Sequence, residues 1–347
     1  MTQKTAIHVA GADGELGASI VKGLLEMPYL YPRLPDIPVY AGVHHETVQS
    51  STVLSISNAL VVEVDPVNHP DSTVHALKQV SKLLLLFDPL SGVIRQNDVF
   101  AFAKGYFFLY IHNRYINAAK QANIEHIVFL TPFSKLDTPH SPPLTPIDDD
   151  DEDRTNITRS YREQFEAIES LLQESFSPSQ ITILRYSGVL NQHLLYFAKY
   201  IIEKSKMPLI DNSHMTFECC DMSDVVRASC HILVSPIQRY GGKKYKITGP
   251  NLLTTDEIAI KASLGLKREI SVEFMPIKQL KKVLMEMTSD KEVVAYLLEL
   301  WGLQTYLGAT RKVQVTRDLE IITGSTGKSL REFFENSYAA FTSPQTG

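Results

Sequence analysis

Apolar residues along the chain form short runs that alternate with segments of helical periodicity. The runs cover residues 5–10, 38–43, 60–64, 83–87, 127–131 and 181–185. Between them, residues 15–27, 71–80, 110–122 and 160–174 carry apolar side chains at helical spacing. A run without alternation, such as LLLLF at residues 83–87, is typical of a strand covered on both faces. The pattern therefore predicts an α/β fold, a doubly wound parallel sheet with helices on both faces.

The regular alternation of strands and helices weakens beyond the sixth strand. We therefore predict two parts in the 347-residue chain, a sheet domain over residues 1–190 and a smaller α/β lobe over residues 191–347 that covers the strand ends. A cleft between them is the expected substrate site. Residues 137–157 concentrate proline and then acidic residues, which indicates an insertion. A solvated surface loop and a lid are both open for this segment.

Three glycines follow the first apolar run at regular spacing. The segment is GADGELG, with glycines at positions 11, 14 and 17, and a helical pattern begins within it. After a strand, the first glycine permits a tight turn, the second lets backbone approach a pyrophosphate, and the third lets the helix pack on the sheet. The segment predicts a dinucleotide site with phosphate at the helix N-terminus. A structural turn that binds nothing is the alternative.

Charge and composition narrow the range of functions. The net charge of −5 and the scattered Lys and Arg residues argue against direct nucleic-acid binding. No apolar run approaches ~18 residues and no leader-like segment precedes the first strand, so we expect no membrane association and a cytoplasmic protein. Adjacent Cys219 and Cys220, with Cys230, have neither a disulfide framework nor zinc-ligand spacing. We expect buried thiols and no metal.

Several segments, in order along the chain, carry a family resemblance. They are GADGELG, VVEVDP, INAAKQANIEHIVFLTPFS, AIESLL with ITILRYSGVLNQ, DMSDVVRASCHIL, YKITGPNLLTTDEIA and ITGSTGKSLREFFE. The chain resembles the NmrA-like family of atypical short-chain dehydrogenase/reductases, and its closing segments resemble quinone reductase-like and festuclavine synthase-like members. The resemblance implies an NAD(P)-binding Rossmann domain over residues 1–190 and a substrate or partner lobe over residues 191–347.

The resemblance also assigns cofactor-binding roles to residues at the strand ends. The pyrophosphate would be wrapped by Gly11, Ala12, Gly14, Glu15, Leu16 and Gly17. The adenosine would lie near Asp65, Phe87, Asp88 and Pro89. The nicotinamide would lie near Thr131, Pro132 and Phe133 and the backbone of Tyr186, Ser187 and Gly188. For Asp65, a turn-forming role before Pro66 is equally open.

The end of the second strand normally selects between the two nicotinamide cofactors. An acid there binds the adenosine ribose hydroxyls, whereas Arg or Lys neutralises the extra phosphate of NADP. The residues here are Val43, His44, His45 and Glu46, so the expected arginine is missing. His44 can donate to a phosphate, and NADP is the expected cofactor with NAD not excluded. Both histidines are equally compatible with a solvated turn.

The residues that would supply a proton depart from the pattern of the wider superfamily. Catalytic members carry a Tyr four residues before a Lys that lowers the tyrosine pKa. This chain has Tyr161 with Phe165 at the lysine position, so the catalytic pair is not intact. Tyr161, Thr131 and Ser134 are the remaining candidate donors, each with an ordinary structural role as its alternative.

Two functions of different class remain. The first is an NAD(P)H-dependent oxidoreductase that transfers hydride to a small carbonyl, quinone or imine substrate. The second is a non-catalytic redox sensor that binds the dinucleotide and a protein partner, a function that would also suit the nucleus. The broken catalytic pair favours the sensor, whereas a long second lobe with room for a substrate pocket favours the oxidoreductase. The sequence names no substrate and gives no oligomeric state.

Overall fold

The computed structural model describes residues 5–32, 36–44, 58–66, 68–86, 89–90, 107–133, 161–210, 215–309 and 313–342. Within them, the chain divides into two compact units. The first contains the described residues up to Phe133, those from Tyr161 to Arg185, and Val226–Tyr245. The second contains Tyr186–Val225 and the described residues from Lys246 onward. The predicted division at residue 190 stays a prediction, and so does the insertion at 137–157, which lies outside the described residues.

The described strands of the first unit belong to one seven-stranded sheet. Two of these strands end in residues that are assigned to the second unit. Its strands are β1 (Ala6–Val9), β2 (Val39–His44), β3 (Leu60–Val64), β4 (Val80–Leu85), β5 (His126–Thr131), β6 (Ile181–Tyr186) and β9 (Lys244–Ile247). The spatial order is β3-β2-β1-β4-β5-β6-β9, with parallel neighbours. The chain reverses direction across the sheet between β1 and β4, where doubly wound sheets bind ligands. The predicted fold class is confirmed.

Helices cover this sheet on both faces. They are α1 (Glu15–Leu30), α2 (Pro70–Ala76), α3 (Phe107–Gln121), α4 (Tyr161–Ser175), α6 (Met222–Val234) and α7 (Ile237–Tyr240). Helices α2, α3 and α4 pack side by side. Helix α1 packs closely on α6, because a Cβ at Gly23 would lie 2.9 Å from Cys230 Sγ. Cys219, Cys220 and Cys230 are buried free thiols, as predicted.

Two elements of the first unit differ from the pattern-based prediction. Strand β4 begins at Val80 instead of Leu83. Lys82 interrupts the apolar run but is accommodated, because its Nζ donates to Leu233 O at 2.7 Å and Ser235 O at 2.6 Å, at the C-terminal end of α6. Helix α1 continues through Pro28 and ends two residues later at Leu30. Proline lacks the backbone donor and its ring crowds the carbonyl four residues earlier, which is tolerated here in the last turn of the helix.

The second unit combines helices with short strands. After a 3-10 helix at Asn191–Phe197 it contains α5 (Ala198–Lys204), β7 (Lys206–Ile210), β8 (Thr216–Glu218), β10 (Leu252–Thr254), α8 (Thr255–Leu266), β11 (Ser271–Met275), α9 (Ile277–Met287), α10 (Lys291–Ala309), α11 (Asp318–Thr323) and α12 (Leu330–Asn336). Strand β7 pairs with β11, and β8 with β10. Its core includes Trp301, 2% exposed, against the rings of Phe197 and Phe217. Among all the described helices, none is long and apolar enough to span a membrane.

Candidate functional site

The glycine segment after β1 forms a turn that only glycine can build at two positions. Gly11 has a φ of +73°, in the left-handed region that side chains other than glycine rarely adopt. A Cβ at Gly17 would lie 2.1 Å from the carbonyl oxygen of Gly11, so α1 packs directly on the turn. The turn closes with a hydrogen bond from Gly14 N to Gly11 O at 3.2 Å. The roles predicted for the first and third glycines therefore have their steric basis in the structure.

The N-terminus of α1 begins at this turn. Gly14 is its N-cap residue, and no side chain caps the helix there. The first backbone N–H groups of a helix have no intrahelical acceptor and carry the positive end of the helix dipole. Ala12, Gly14, Leu16 and Gly17 are buried or lack side-chain bulk, whereas Glu15 is exposed. An open set of backbone donors beside glycine backbone is the arrangement that a dinucleotide pyrophosphate requires, so the turn fits that group.

The same turn is fixed to the end of β2 by two hydrogen bonds. Ala12 N donates to Gly42 O at 3.0 Å, and His44 N donates to the Asp13 carboxylate at 2.9 Å. The predicted residue His44 thus lies beside a carboxylate that comes from the glycine turn. The pKa of the Tyr115 phenol, on α3, is raised by burial and, to a smaller extent, by the charge of the Asp13 carboxylate.

Asp65 directly follows β3 and organises the turn that leads to α2. Its Oδ1 accepts a hydrogen bond from Asn68 N at 2.8 Å, and its own backbone N–H donates to Ser72 Oγ at 2.8 Å. Its side chain is buried. These contacts are those of a turn-forming aspartate. Contact with an adenine stays a prediction.

The candidate proton donors lie at the end of β5 and the start of α4. Thr131 is buried, and its hydroxyl oxygen accepts a hydrogen bond from Phe133 N at 3.2 Å, which shapes the chain where β5 ends. Tyr161 is half-buried at the first position of α4. Phe165, at the position where the sequence analysis expects the lysine, is 2% exposed and packs on the rings of Phe129 and Phe133 in the core.

A second polar feature lies in the second unit, in the loop between β6 and the following 3-10 helix. Tyr186 and Ser187 are buried there and Gly188 is partly exposed. Ser187 N donates to Ile247 O at 3.1 Å, and Asn191 N donates to Cys220 O at 2.9 Å. The side chains of Ser187 and Asn191 are each 1% exposed, and no described residue hydrogen-bonds to Ser187 Oγ or to either polar atom of Asn191. Buried polar atoms without partners are costly and uncommon in native proteins.

Three predicted site residues, Phe87, Asp88 and Ser134, lie outside the described residues. Pro89 is buried in the turn beyond β4, and Pro132 is buried beyond β5. The glycines with Ala12 and His44 are brought together directly. Asp65 follows β3 and Thr131 ends β5, whereas Pro89 comes four residues after the end of β4. All cofactor-binding and catalytic roles assigned to these residues stay predictions.

The sequence analysis missed Asp13 and the side chain of Asn191. Asp13 was available as a signal, because it is an acid inside a segment expected to face phosphate. Nothing in the sequence marked Asn191, since a buried amide without partners is recognised only from its surroundings.

Comparisons with known proteins give matches among solved structures alone. No family model matches the chain, and no curated protein matches it. The NADPH-dependent quinone oxidoreductase QOR2 from Escherichia coli has a TM-score of 0.69 at 16% identity, over 96% of this chain and 99% of that one. The Citrobacter sp. triphenylmethane reductase complexed with NADP(H) has a TM-score of 0.68 at 18% identity, over 96% and 100%. NmrA, a negative transcriptional regulator in complex with NADP, has a TM-score of 0.64 at 14% identity, over 97% and 96%.

These matches extend over nearly the whole chain at low identity. They show that the chain shares its fold with two reductases and a regulator. At the level of fold, the resemblance to the NmrA-like group that the sequence predicts is confirmed.

Proposed function

We propose that the chain binds a nicotinamide dinucleotide at the glycine turn and acts as an NAD(P)H-dependent oxidoreductase of the NmrA-like kind. The observation that carries the proposal is the turn itself, in which Gly11 has a positive φ and Gly17 leaves no room for a side chain beside Gly11 O. The reductases with the same fold are named for NADPH or NADP(H), which supports NADP(H) as the cofactor. NAD(H) stays open because His44 replaces the expected arginine.

The residues near the expected reaction site determine which substrates suit such an enzyme. When bound, the dinucleotide supplies the hydride. The lysine position is occupied by the buried Phe165, so no cation at that spacing assists Tyr161. Substrates that accept hydride with little help from a protein acid, such as quinones or iminium compounds, therefore fit this chain better than simple ketones. Tyr161 and Thr131 are the described candidates for a hydrogen bond to such a substrate.

A redox sensor is the second candidate function, and Phe165 is also the observation that favours it. With a core residue at the expected position of the catalytic lysine, such a chain would bind the cofactor without turning it over. One protein with this fold is named as a negative transcriptional regulator in complex with NADP. A sensor would bind oxidised and reduced dinucleotide with different affinity and couple that difference to a protein partner.

Titration of the purified protein with NADPH, NADP, NADH and NAD tests both functions. It is followed by absorbance at ~340 nm against quinones, aldehydes and imines. Binding with turnover supports the oxidoreductase, and binding without turnover, with unequal affinity for the two redox forms, supports the sensor.

A variant of the glycine turn tests the location of the site. Gly14→Val adds bulk where the pyrophosphate backbone should approach, and we expect it to abolish binding in a folded protein. The control is Gly324→Asn, at a glycine of the second unit with a φ of +76° and no atom within 4 Å of an added Cβ. Asn tolerates that conformation, so the control should bind normally. Full affinity in folded Gly14→Val would place the dinucleotide elsewhere.

A further inference from the structure

The carboxylate of Asp13 occupies a place that sequence spacing would not assign to it. Asp13 belongs to the glycine turn, yet its Oδ2 accepts the backbone N–H of His44 at 2.9 Å, at the last residue of β2. The bond from Ala12 N to Gly42 O at 3.0 Å holds the neighbouring turn residue on the same strand. The turn therefore delivers a carboxylate to the carboxyl end of β2.

The end of β2 is where dinucleotide-binding sheets distinguish the two nicotinamide cofactors. A carboxylate there accepts hydrogen bonds from the ribose hydroxyls of NAD, and a cation there neutralises the 2′-phosphate of NADP. An ionised carboxylate accepts hydrogen bonds but cannot donate them, and its negative charge repels a phosphate. The acid usually comes from the strand itself. Here it is supplied by the glycine turn that follows β1.

The surrounding sequence provides no compensating cation. From residue 34 to residue 77, which includes β2, β3 and the segment joining them, the chain contains no Lys and no Arg. The same stretch contains five acids, at positions 36, 46, 63, 65 and 71. Histidine is its only basic residue type, and His44 lies beside Asp13. The Asp13 carboxylate therefore opposes a 2′-phosphate, and residues 34–77 contribute no Lys or Arg that could offset its charge.

We infer that Asp13 is the specificity-determining residue of the cofactor site, accepting a hydrogen bond from the ribose 2′-hydroxyl and favouring NAD(H) over the NADP(H) for which the reductases of the same fold are named. The inference rests on the proposed function, because it requires a dinucleotide at the glycine turn. In this arrangement Asp13 holds the turn against β2 through His44 N and also forms the hydrogen bond that recognises the ribose.

The test is the ratio of the dissociation constants for NADPH and NADH, measured by titration calorimetry. Asp13→Asn keeps an oxygen that accepts from His44 N and removes the charge. We expect it to lower this ratio by about tenfold or more, which is the scale of one charge pair at a protein surface. The matched control is Glu26→Gln, which removes a charge from an exposed residue of α1 that lies outside the glycine turn. It should change both affinities alike and leave the ratio unaltered.

A second measurement needs no variant and isolates the ribose. ADP-ribose should bind the unaltered protein more tightly than 2′-phospho-ADP-ribose, and the difference should narrow as salt rises because the repulsion is screened. A preference for the phosphorylated fragment, or an unchanged ratio in folded Asp13→Asn, overturns the inference and leaves the dinucleotide site standing. Absence of binding by every dinucleotide overturns the proposed function and the inference together.

Discussion

The glycine turn of the first unit and the loop from Tyr186 to Asn191 of the second unit handle polar groups in opposite ways. In the turn, the polar groups inside the loop are bonded to one another and to β2: Gly14 N donates to Gly11 O, and the Asp13 carboxylate accepts from His44 N. In the loop, the backbone is bonded, but the Asn191 amide and the Ser187 hydroxyl are buried and no described residue hydrogen-bonds to them. The turn depends on two positions that have no room for a side chain and on the carboxylate of Asp13, whereas the loop buries polar side chains that no described residue bonds.

This difference implies different sensitivities to substitution. Added bulk should be costly in the turn, where there is no space. In the loop, loss of polarity should be harmless to stability, because the buried polar atoms already lack the hydrogen bonds that would offset their burial. The predictions below test this contrast from the largest expected effect to the smallest.

Gly17→Val should give the largest loss of stability. The new Cβ would lie 2.1 Å from a backbone oxygen, and the turn cannot move away without breaking the hydrogen bond from Ala12 N to Gly42 O. We expect the free energy of unfolding in urea to fall by about 3 kcal/mol or more. The control Gly324→Asn, in open space, should stay near the unaltered protein. Equal stability of the two variants would contradict the close packing of the turn.

Two buried histidines, His8 and His193, should lower the stability of the protein in acid. Burial lowers the pKa of His8, on β1, to about 4, and it does the same to His193, two residues after Asn191. The unfolded chain binds these protons near pH 6.5 and the folded chain does not, so stability is complete above that pH. It should fall by roughly 3 kcal/mol for each histidine as the pH drops from about 6.5 to 4.

Substitution of each histidine by Phe separates these two contributions. His8→Phe should flatten the acid limb without loss of a hydrogen bond, because no described residue bonds to either ring nitrogen. His193→Phe should flatten it while losing the bond that Leu190 N donates to His193 Nδ1 at 3.2 Å. Denaturant melts at pH 7 and pH 5 measure both effects. An acid limb unchanged in both variants would show that other groups titrate.

Replacing the polar side chains should shift stability in opposite directions in the two regions. Asn191→Leu, similar in volume, should raise the free energy of unfolding by about 1–2 kcal/mol, because unbonded polar atoms leave the interior. Asp13→Ala should lower it by about 1 kcal/mol, because His44 N loses its acceptor. Thermal melts of both variants provide the measurement. A loss in Asn191→Leu would mean that the amide has a stabilising partner.

Glu15→Gln should have the smallest effect. Glu15 is exposed in the first turn of α1, where its charge interacts favourably with the helix dipole. We expect a loss of about 0.5 kcal/mol, reduced by added salt. A large loss would mean that Glu15 has a role in the turn beyond its charge.

Much of the fold could be predicted from the sequence, because its signals are local. The apolar run at residues 60–64 and the glycine spacing depend on residues close together in the chain, and β3 and the turn lie where they predict. Strand β4 was misplaced by three residues at its start because Lys82 finds acceptors on α6, about 150 residues away. The sequence shows that Asp13 belongs to the glycine segment. It does not predict the hydrogen bond to His44, because that bond depends on the register of β1 and β2.

The division of the chain between units has a consequence for its synthesis. The chain leaves the first unit after Arg185 and returns to it only at Val226, and the last strand of the sheet ends at Ile247. Until the ribosome has made that strand, β6 is an unprotected edge with the apolar sequence ITIL, which is able to template pairing with other chains. At about 5–20 residues per second, this interval lasts several seconds. We expect nascent chains paused in this interval, between residues 186 and 247, to depend most on chaperones.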